Sequence, residues 1–269
     1  MKILFTDLDE TLLNKESKVT EYTCGVLKEF TDAGNLIVPA SGRPLLSVQK
    51  LVASSGLSDV VRYIVAYNGA LVWDNKKSSV VWSATVPSDC ARIIQDTGAE
   101  MGIHTQTYAN EHVFTAREDE EIKVYTSRIF VPVIYTDDPV GTIDCEPYKL
   151  LAIHLSDVTK LEALKDRLTP LVGDRIDMVF SNPMYLEFFS NRAGKGSALT
   201  ELCNILGISK KDSYAAGDEE NDISMIKAAG CGIAMKNAIP SVLSCSDAVT
   251  DFDNSNDGLA RFIKDHIMN

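Results

Sequence analysis

The sequence predicts an α/β fold: a doubly wound, Rossmann-like parallel sheet core with a second, inserted α+β domain. Short apolar runs alternate with amphipathic helical stretches at both ends of the chain. Each run is bounded by turn or cap residues. The middle breaks that alternation with successive β-rich segments, which assigns 1–82 and 188–269 to one core and 83–187 to an insert.

The elements follow in order. Lys2–Thr6 is a short β-rich run, and 7–18 is a polar loop with an apolar patch at Leu12 and Leu13. Thr20 opens a helix, with Glu21 behind it and Val26, Leu27 and Phe30 at helical spacing, and Gly34 ends it. Leu36–Ala40 is the second strand, Ser41-Gly42-Arg43-Pro44 leads a helix through Leu51, and Val60–Ala66 is the third strand, closed by the turn signal Asn68-Gly69. Alternation of this kind implies parallel pairing with right-handed crossovers. In the insert, His112–Thr115 alternates, Lys149–Leu155 is β-rich, Val158–Leu168 is helical, and Arg175–Ser181 and Tyr185–Phe189 are strands. The tail resumes with the helix Lys195–Leu206, stopped at Gly207, and the strand Tyr214–Gly217. The helix Ile223–Ala229, the strand Gly232–Met235, the helix Ala238–Ser244, the strand Ala248–Thr250 and the helix Asp257–Ile267 follow. No solenoid repeat is present.

Composition narrows the function. The 269 residues are 45% hydrophobic and 24% charged, ordinary values for a globular chain that can bury a sizeable core without staples. A net charge of −12 argues against nucleic acid or an anionic membrane as partner. No run approaches a membrane span, and Asp7 and Asp9 interrupt the N-terminal apolar run too early for a secretion signal. The six cysteines are scattered and the four histidines have no zinc spacing with them, so the expectation is reduced thiols in a cytoplasmic protein. No long apolar helix suggests an obligate dimer, so a monomer or weak homodimer is expected. The acidic run Glu118–Glu121 is read as a solvated face.

Four clusters carry chemistry, all at junctions of strand and helix. Asp7 and Asp9 follow the first strand, where ligands of open α/β sheets bind. One carboxylate there can attack phosphorus while the other moves a proton, and the pair attracts a hard cation; the alternative is an acidic loop that only solubilises. Asp218, Asn221 and Asp222 follow a later strand: Asp218 completes a metal site with Asp7, and Asn221 or Asp222 binds the ligand, caps the next helix, or both. Ser41, Gly42 and Arg43 offer a hydroxyl and backbone N–H groups to a phosphate oxygen, or merely a helix cap. Lys195 begins a helix in a Gly-Lys-Gly-Ser run; Phe189 stands where a nucleotide P-loop needs glycine, so that motif is rejected, and Lys195 is read as a cation able to balance clustered carboxylates and phosphate, or merely as a solvated lysine. All four fall on the same predicted sheet edge, and a phosphate site supplies the logic by which three carboxylates, a lysine and a hydroxyl would coexist there.

At this point the chain resembles the haloacid dehalogenase-like superfamily of phosphotransferases, and within it the Cof-type hydrolases. Asp7-Leu-Asp9-Glu-Thr11-Leu-Leu resembles the first signature, Ser41-Gly42-Arg43-Pro44 the second, Lys195-Gly196-Ser-Ala-Leu the third and Gly217-Asp218-Glu-Glu-Asn221-Asp222-Ile the fourth. Asn68-Gly69-Ala70 and Gly232-Ile-Ala-Met235 with Asn237-Ala238 also fit. The resemblance implies that the insert is a cap domain which closes over the site and sets specificity. It implies Asp7 as nucleophile, Asp9 as general acid and base, Ser41 on a phosphate oxygen and Lys195 stabilising the anionic transition state. It implies Mg²⁺ held by the Asp7 carboxylate, the Asp9 backbone carbonyl and Asp218, with Asn221 and Asp222 supporting phosphate and metal, and Gly42, Arg43 and Asn68 as substrate contacts. Two positions depart from the family: Glu10 and Lys236 stand where glycine is usual. The implied activity is a Mg²⁺-dependent phosphatase of small phosphorylated metabolites, sugar phosphates among them, acting through an aspartyl phosphate. The alternatives are a phosphomutase of the phosphomannomutase type and a non-catalytic phosphate-binding or phospho-accepting module.

Overall fold

A computed structural model describes residues 1–268. It divides into two compact units, Met1–Ser83 with Gly194–Asn269, and Ala84–Ala193.

The first unit opens with β1 (Ile3–Thr6), α1 (Glu21–Asp32), β2 (Leu36–Pro39) and α2 (Leu45–Ser54), then β3 (Tyr63–Ala66), β4 (Leu71–Asp74) and β5 (Ser79–Ser83). The second unit contains α3 (Ser88–Glu100), β6 (His104–Ala109), β7 (His112–Thr115), α4 (Glu120–Arg128), β8 (Val133–Tyr135), β9 (Lys149–Ile153), α5 (Val158–Val172), β10 (Ile176–Asn182) and β11 (Tyr185–Ser190). The chain returns to the first unit with α6 (Lys195–Leu206), β12 (Ser213–Gly217), α7 (Ile223–Ala228), β13 (Cys231–Ala234), α8 (Pro240–Cys245), β14 (Ala248–Val249) and α9 (Gly258–Phe262).

The core sheet runs β14-β13-β12-β1-β2 with every pairing parallel. Its central strands bury both faces, which is why they read as unbroken apolar runs rather than alternating ones. On one side Ile3, Phe5, Val38 and Ala215 pack with Ala198, Leu199 and Leu202 of α6 and Met225 of α7. Burying Phe5 and Leu202 fully stabilises the unit by roughly 2 kcal/mol each. The α1 helix starts where Thr20 accepts the Thr23 N–H at 3.1 Å, and it buries the expected Val26, Leu27 and Phe30. The α6 helix stops at Gly207, whose φ of 67° is left-handed.

The structure revises the sequence reading in several places. The third strand touches β2 only through isolated parallel bridges, Ile37 to Val61 and Ala40 to Val65, and its main pairing is antiparallel, in the sheet β3-β4-β5. The hairpin partners at 71–83 are two short apolar runs, Leu71-Val72-Trp73 and Val80-Val81-Trp82, about a polar turn, with only a weak alternation. The α5 helix continues through Pro170 to Val172, because a proline in the last turn removes one hydrogen bond near an end that frays in any case. The acidic run is not merely solvated: Asp119 caps α4 by accepting from Ile122 N at 3.3 Å, and also bonds His104 Nδ1 at 2.9 Å.

The second unit is a six-stranded sheet, β10-β11-β9-β6-β7-β8. Its apolar face packs Leu150, Ala152, Leu186 and Phe188 against Ile94 of α3 and Leu161, Leu164 and Leu168 of α5. No described helix is long and apolar enough to cross a membrane.

Candidate active site

The parallel register puts β1 between β12 and β2, so residues just beyond these three strands meet at one edge. The Asp7 N–H donates to Ala216 O at 2.9 Å, fixing the residue as β1 ends. After β12 comes Asp218, and after β2 comes Ser41, whose N–H donates to Val65 O at 3.0 Å.

The centre of the cluster is Lys195, fully buried at the start of α6. Its Nζ donates to Asp7 Oδ1 at 2.5 Å and to Asp222 Oδ1 at 2.6 Å. The other oxygen of Asp222 accepts from the N–H groups of Asp218 (3.0 Å) and Glu219 (3.1 Å), so it braces its own turn. Asp218 Oδ1 accepts from Thr11 Oγ1 at 2.6 Å. Ligand oxygens of Asp7, Asp218 and Asp222 all lie within 4.8 Å of one another. Three carboxylates around one ammonium leave an excess of negative charge out of water. Burial pushes the Asp7 carboxyl up to about 7, against the pull of Lys195 and with the help of Asp222 and Asp218. Burial raises Asp218 to about 7 as well, opposed by the Thr11 hydrogen bond and reinforced by Asp222 and Glu219. Desolvation works against the Lys195 ammonium, but the two aspartates outweigh it and hold its pKa above the usual lysine value.

This donor set fits a hard divalent cation. The ligands are all oxygen, they converge, and a second positive charge would balance them.

The other sequence-identified residues ring the cluster. Asp9 is outside it: its side chain is 52% exposed and is held by Arg43, Nε to Oδ2 at 3.0 Å and Nη2 to Oδ1 at 2.7 Å. Ser41 is buried, and its Oγ accepts from Arg43 N at 3.2 Å. Gly42 has open space where a Cβ would project. Asn68 accepts from Asn221 Nδ2 at 3.3 Å, so the two amides bridge β3's end to β12's. Tyr67, Asn68 and Gly69 have φ of 52°, 55° and 96°, and a Cβ on Gly69 would lie 2.1 Å from Gly194 C. Glycine at 69 therefore lets this turn press against the backbone that leads into Lys195. Sequence reasoning gave no role to Thr11, although it lies inside the first motif, nor to Asn237, whose Nδ2 donates to Glu10 O at 2.8 Å.

Residues 4–263 match the family model described as haloacid dehalogenase-like hydrolase. A Bacillus subtilis (strain 168) protein provisionally named phosphatase YxeH is 32% identical over 99% of this chain and 98% of its own. The 5-amino-6-(5-phospho-D-ribitylamino)uracil phosphatase YwtE of the same organism is 31% identical, covering 98% and 97%. Among solved structures, a haloacid dehalogenase-like hydrolase from Bacteroides thetaiotaomicron superposes with a TM-score of 0.88 at 25% identity over 98% of each chain. A subclass IIB sugar phosphatase shares the fold with a TM-score of 0.80 at 19% identity, over 98% of each chain.

Proposed function

This chain belongs to the haloacid dehalogenase-like hydrolases and is a phosphatase, and from that premise we propose that it hydrolyses small phosphate monoesters, sugar phosphates among them, with Mg²⁺ and an aspartyl-phosphate intermediate on Asp7. The observation that carries the reading is the buried Asp7–Lys195–Asp222 triad with Asp218 beside it at the carboxyl edge of a parallel sheet.

In the proposed mechanism an Asp7 oxygen attacks phosphorus as the ester P–O bond breaks in line. Asp9 gives its proton to the departing oxygen, and the products are an alcohol and the Asp7 acyl phosphate. Water then attacks that phosphorus, Asp9 takes a proton from it, and the Asp7 carboxylate leaves with inorganic phosphate as product. Lys195 offsets the charge that accumulates on the transferring group. The Ser41 hydroxyl and the Gly42 N–H suit the non-bridging oxygens, with the Arg43 N–H holding the Ser41 hydroxyl in place. Asp7, the Asp9 carbonyl and Asp218 would hold Mg²⁺, with Asp222 supporting them, and the ion would neutralise the repulsion between carboxylate and phosphate dianion. Arg43 now occupies both oxygens of Asp9, so proton transfer requires that pairing to open. Asn68 and Asn221 are placed by this reading at the substrate's rim, and the unit 84–193 is assigned the choice of leaving group.

Phosphate release from a panel of phosphorylated metabolites, with and without Mg²⁺, tests the proposal. Turnover should require both Mg²⁺ and Asp7 and should leave no isomerised phosphate ester. An isomerised sugar phosphate in place of free phosphate would point to a mutase instead.

A further inference from the structure

Glu10 adopts a left-handed backbone, φ 60° and ψ 4°, one residue after Asp9 and three after Asp7. Such a conformation is strained for any residue with a Cβ, so something must hold it. The Asn237 side chain, in the turn after β13, does so by donating from Nδ2 to Glu10 O at 2.8 Å. Asn237 is itself held, because its Oδ1 accepts from Asn254 N at 3.1 Å. Asn254, buried, then donates from Nδ2 to Leu13 O at 2.8 Å. Among the described residues its own Oδ1 is buried without a partner, and the Leu13 contact orients this amide. Two amides from the end of the chain thus grip the Asp7 loop at residues 10 and 13. Neighbouring bonds tie the grip together: Lys236 N donates to Thr250 Oγ1 and Lys236 Nζ to Asp251 O, each at 2.9 Å.

We propose that Asn237, backed by Asn254, is a positioning residue of the phosphoryl-transfer site, holding Glu10 left-handed so that the loop carrying Asp7 and Asp9 keeps its shape. The inference rests on the phosphatase reading above. Asn237 is exposed and, in this account, touches no reacting atom; its effect passes through the Glu10 carbonyl.

The test is a double-mutant cycle on phosphate release. Asn237→Ala should lower kcat about five- to tenfold with KM changed less than about twofold, because orientation rather than binding is lost. Glu10→Gly alone should stay near wild type, since glycine accepts a left-handed φ unaided. Glu10→Gly in the Asn237→Ala background should recover most of the lost kcat, which a generally damaged fold would not. Asn237→Asp, which keeps the acceptor for Asn254 and loses the donor to Glu10, should fall and recover in the same way. Wild-type kcat in Asn237→Ala, or the same deficit with and without Glu10→Gly, would overturn the positioning role. Undiminished turnover by Asp7→Asn in the same assay would instead overturn the assignment of Asp7 as nucleophile, the part of the proposed function on which the inference rests.

Discussion

Replacing Lys195 with alanine is the most informative perturbation of the core. The ammonium is fully buried and bonds two aspartates, one of them, Asp222, also fully buried. Removing it leaves carboxylates facing each other in a site already overloaded with negative charge. Breaking a buried ion pair of this kind costs about 3–5 kcal/mol, or a fall of roughly 10 °C in Tm for a chain of this size. The loss must depend on pH. Lys195 itself does not titrate in the working range: its raised pKa means that its contribution is complete below the unfolded value and lost only as pH rises through the folded one. Asp7 and Asp218 have folded values raised to about 7, so their ionisation penalty is absent below about 4 and grows until about 7. Without Lys195 the Asp7 value moves higher still. At pH 5 Asp7 is protonated in both proteins, so less is lost there with the lysine; at pH 8 the wild-type carboxylate is ionised and paired, and the variant must either leave it unpaired or take up a proton against the pH. Denaturant unfolding of metal-free wild type and variant at the two pH values reads this directly. The deficit should be near the full 3–5 kcal/mol at pH 8 and clearly smaller at pH 5. A deficit below about 1 kcal/mol at pH 8, the level of an exposed pair, would refute the reasoning, as would an equal deficit at both.

Further outcomes follow from the same geometry. Asp218→Asn keeps the acceptor for Thr11 and removes a carboxylate raised to about 7, so the metal-free protein should gain up to about 4 kcal/mol above pH 7 and nothing below pH 4, measured by urea unfolding. Mg²⁺ binding, followed by calorimetry, should weaken as pH falls below about 7, by up to about tenfold per unit for each proton that Asp7 and Asp218 must release; a flat profile would contradict the ligand assignment. Gly69→Ala should destabilise by about 3 kcal/mol or more, because its Cβ would lie 2.1 Å from Gly194 C on a left-handed backbone, whereas Gly42→Ala, facing open space, should change Tm little.

Much of this site was legible in the sequence because the chemistry sits where local grammar changes. Asp7, Ser41 and Asp218 each follow an apolar run directly, and a parallel sheet brings the ends of neighbouring strands together whatever separates them in sequence. Lys195 was legible as the first residue of a helix. What stayed hidden depends on tertiary meeting. Nothing in Arg43 or Asp9 announces that they pair across 34 positions, and this pairing draws the Asp9 carboxylate away from the lysine cluster. Thr11 and Asn237 act through single hydrogen bonds to partners 207 and 227 positions away. The β3-β4-β5 hairpin extension escaped because β4 and β5 alternate only weakly and the parallel expectation for β3 came from its position after a helix.

Asp7 should itself become phosphorylated during turnover. The most direct measurement is acid quenching during turnover of a phosphorus-labelled sugar phosphate, in wild type and in Asp9→Asn, where attack by water is slowed, followed by borohydride reduction and peptide mapping. Labelled protein whose residue 7 is converted to homoserine is expected, with no label in Asp7→Asn. Phosphate released at full rate with residue 7 never modified, or label found at another residue, would contradict it.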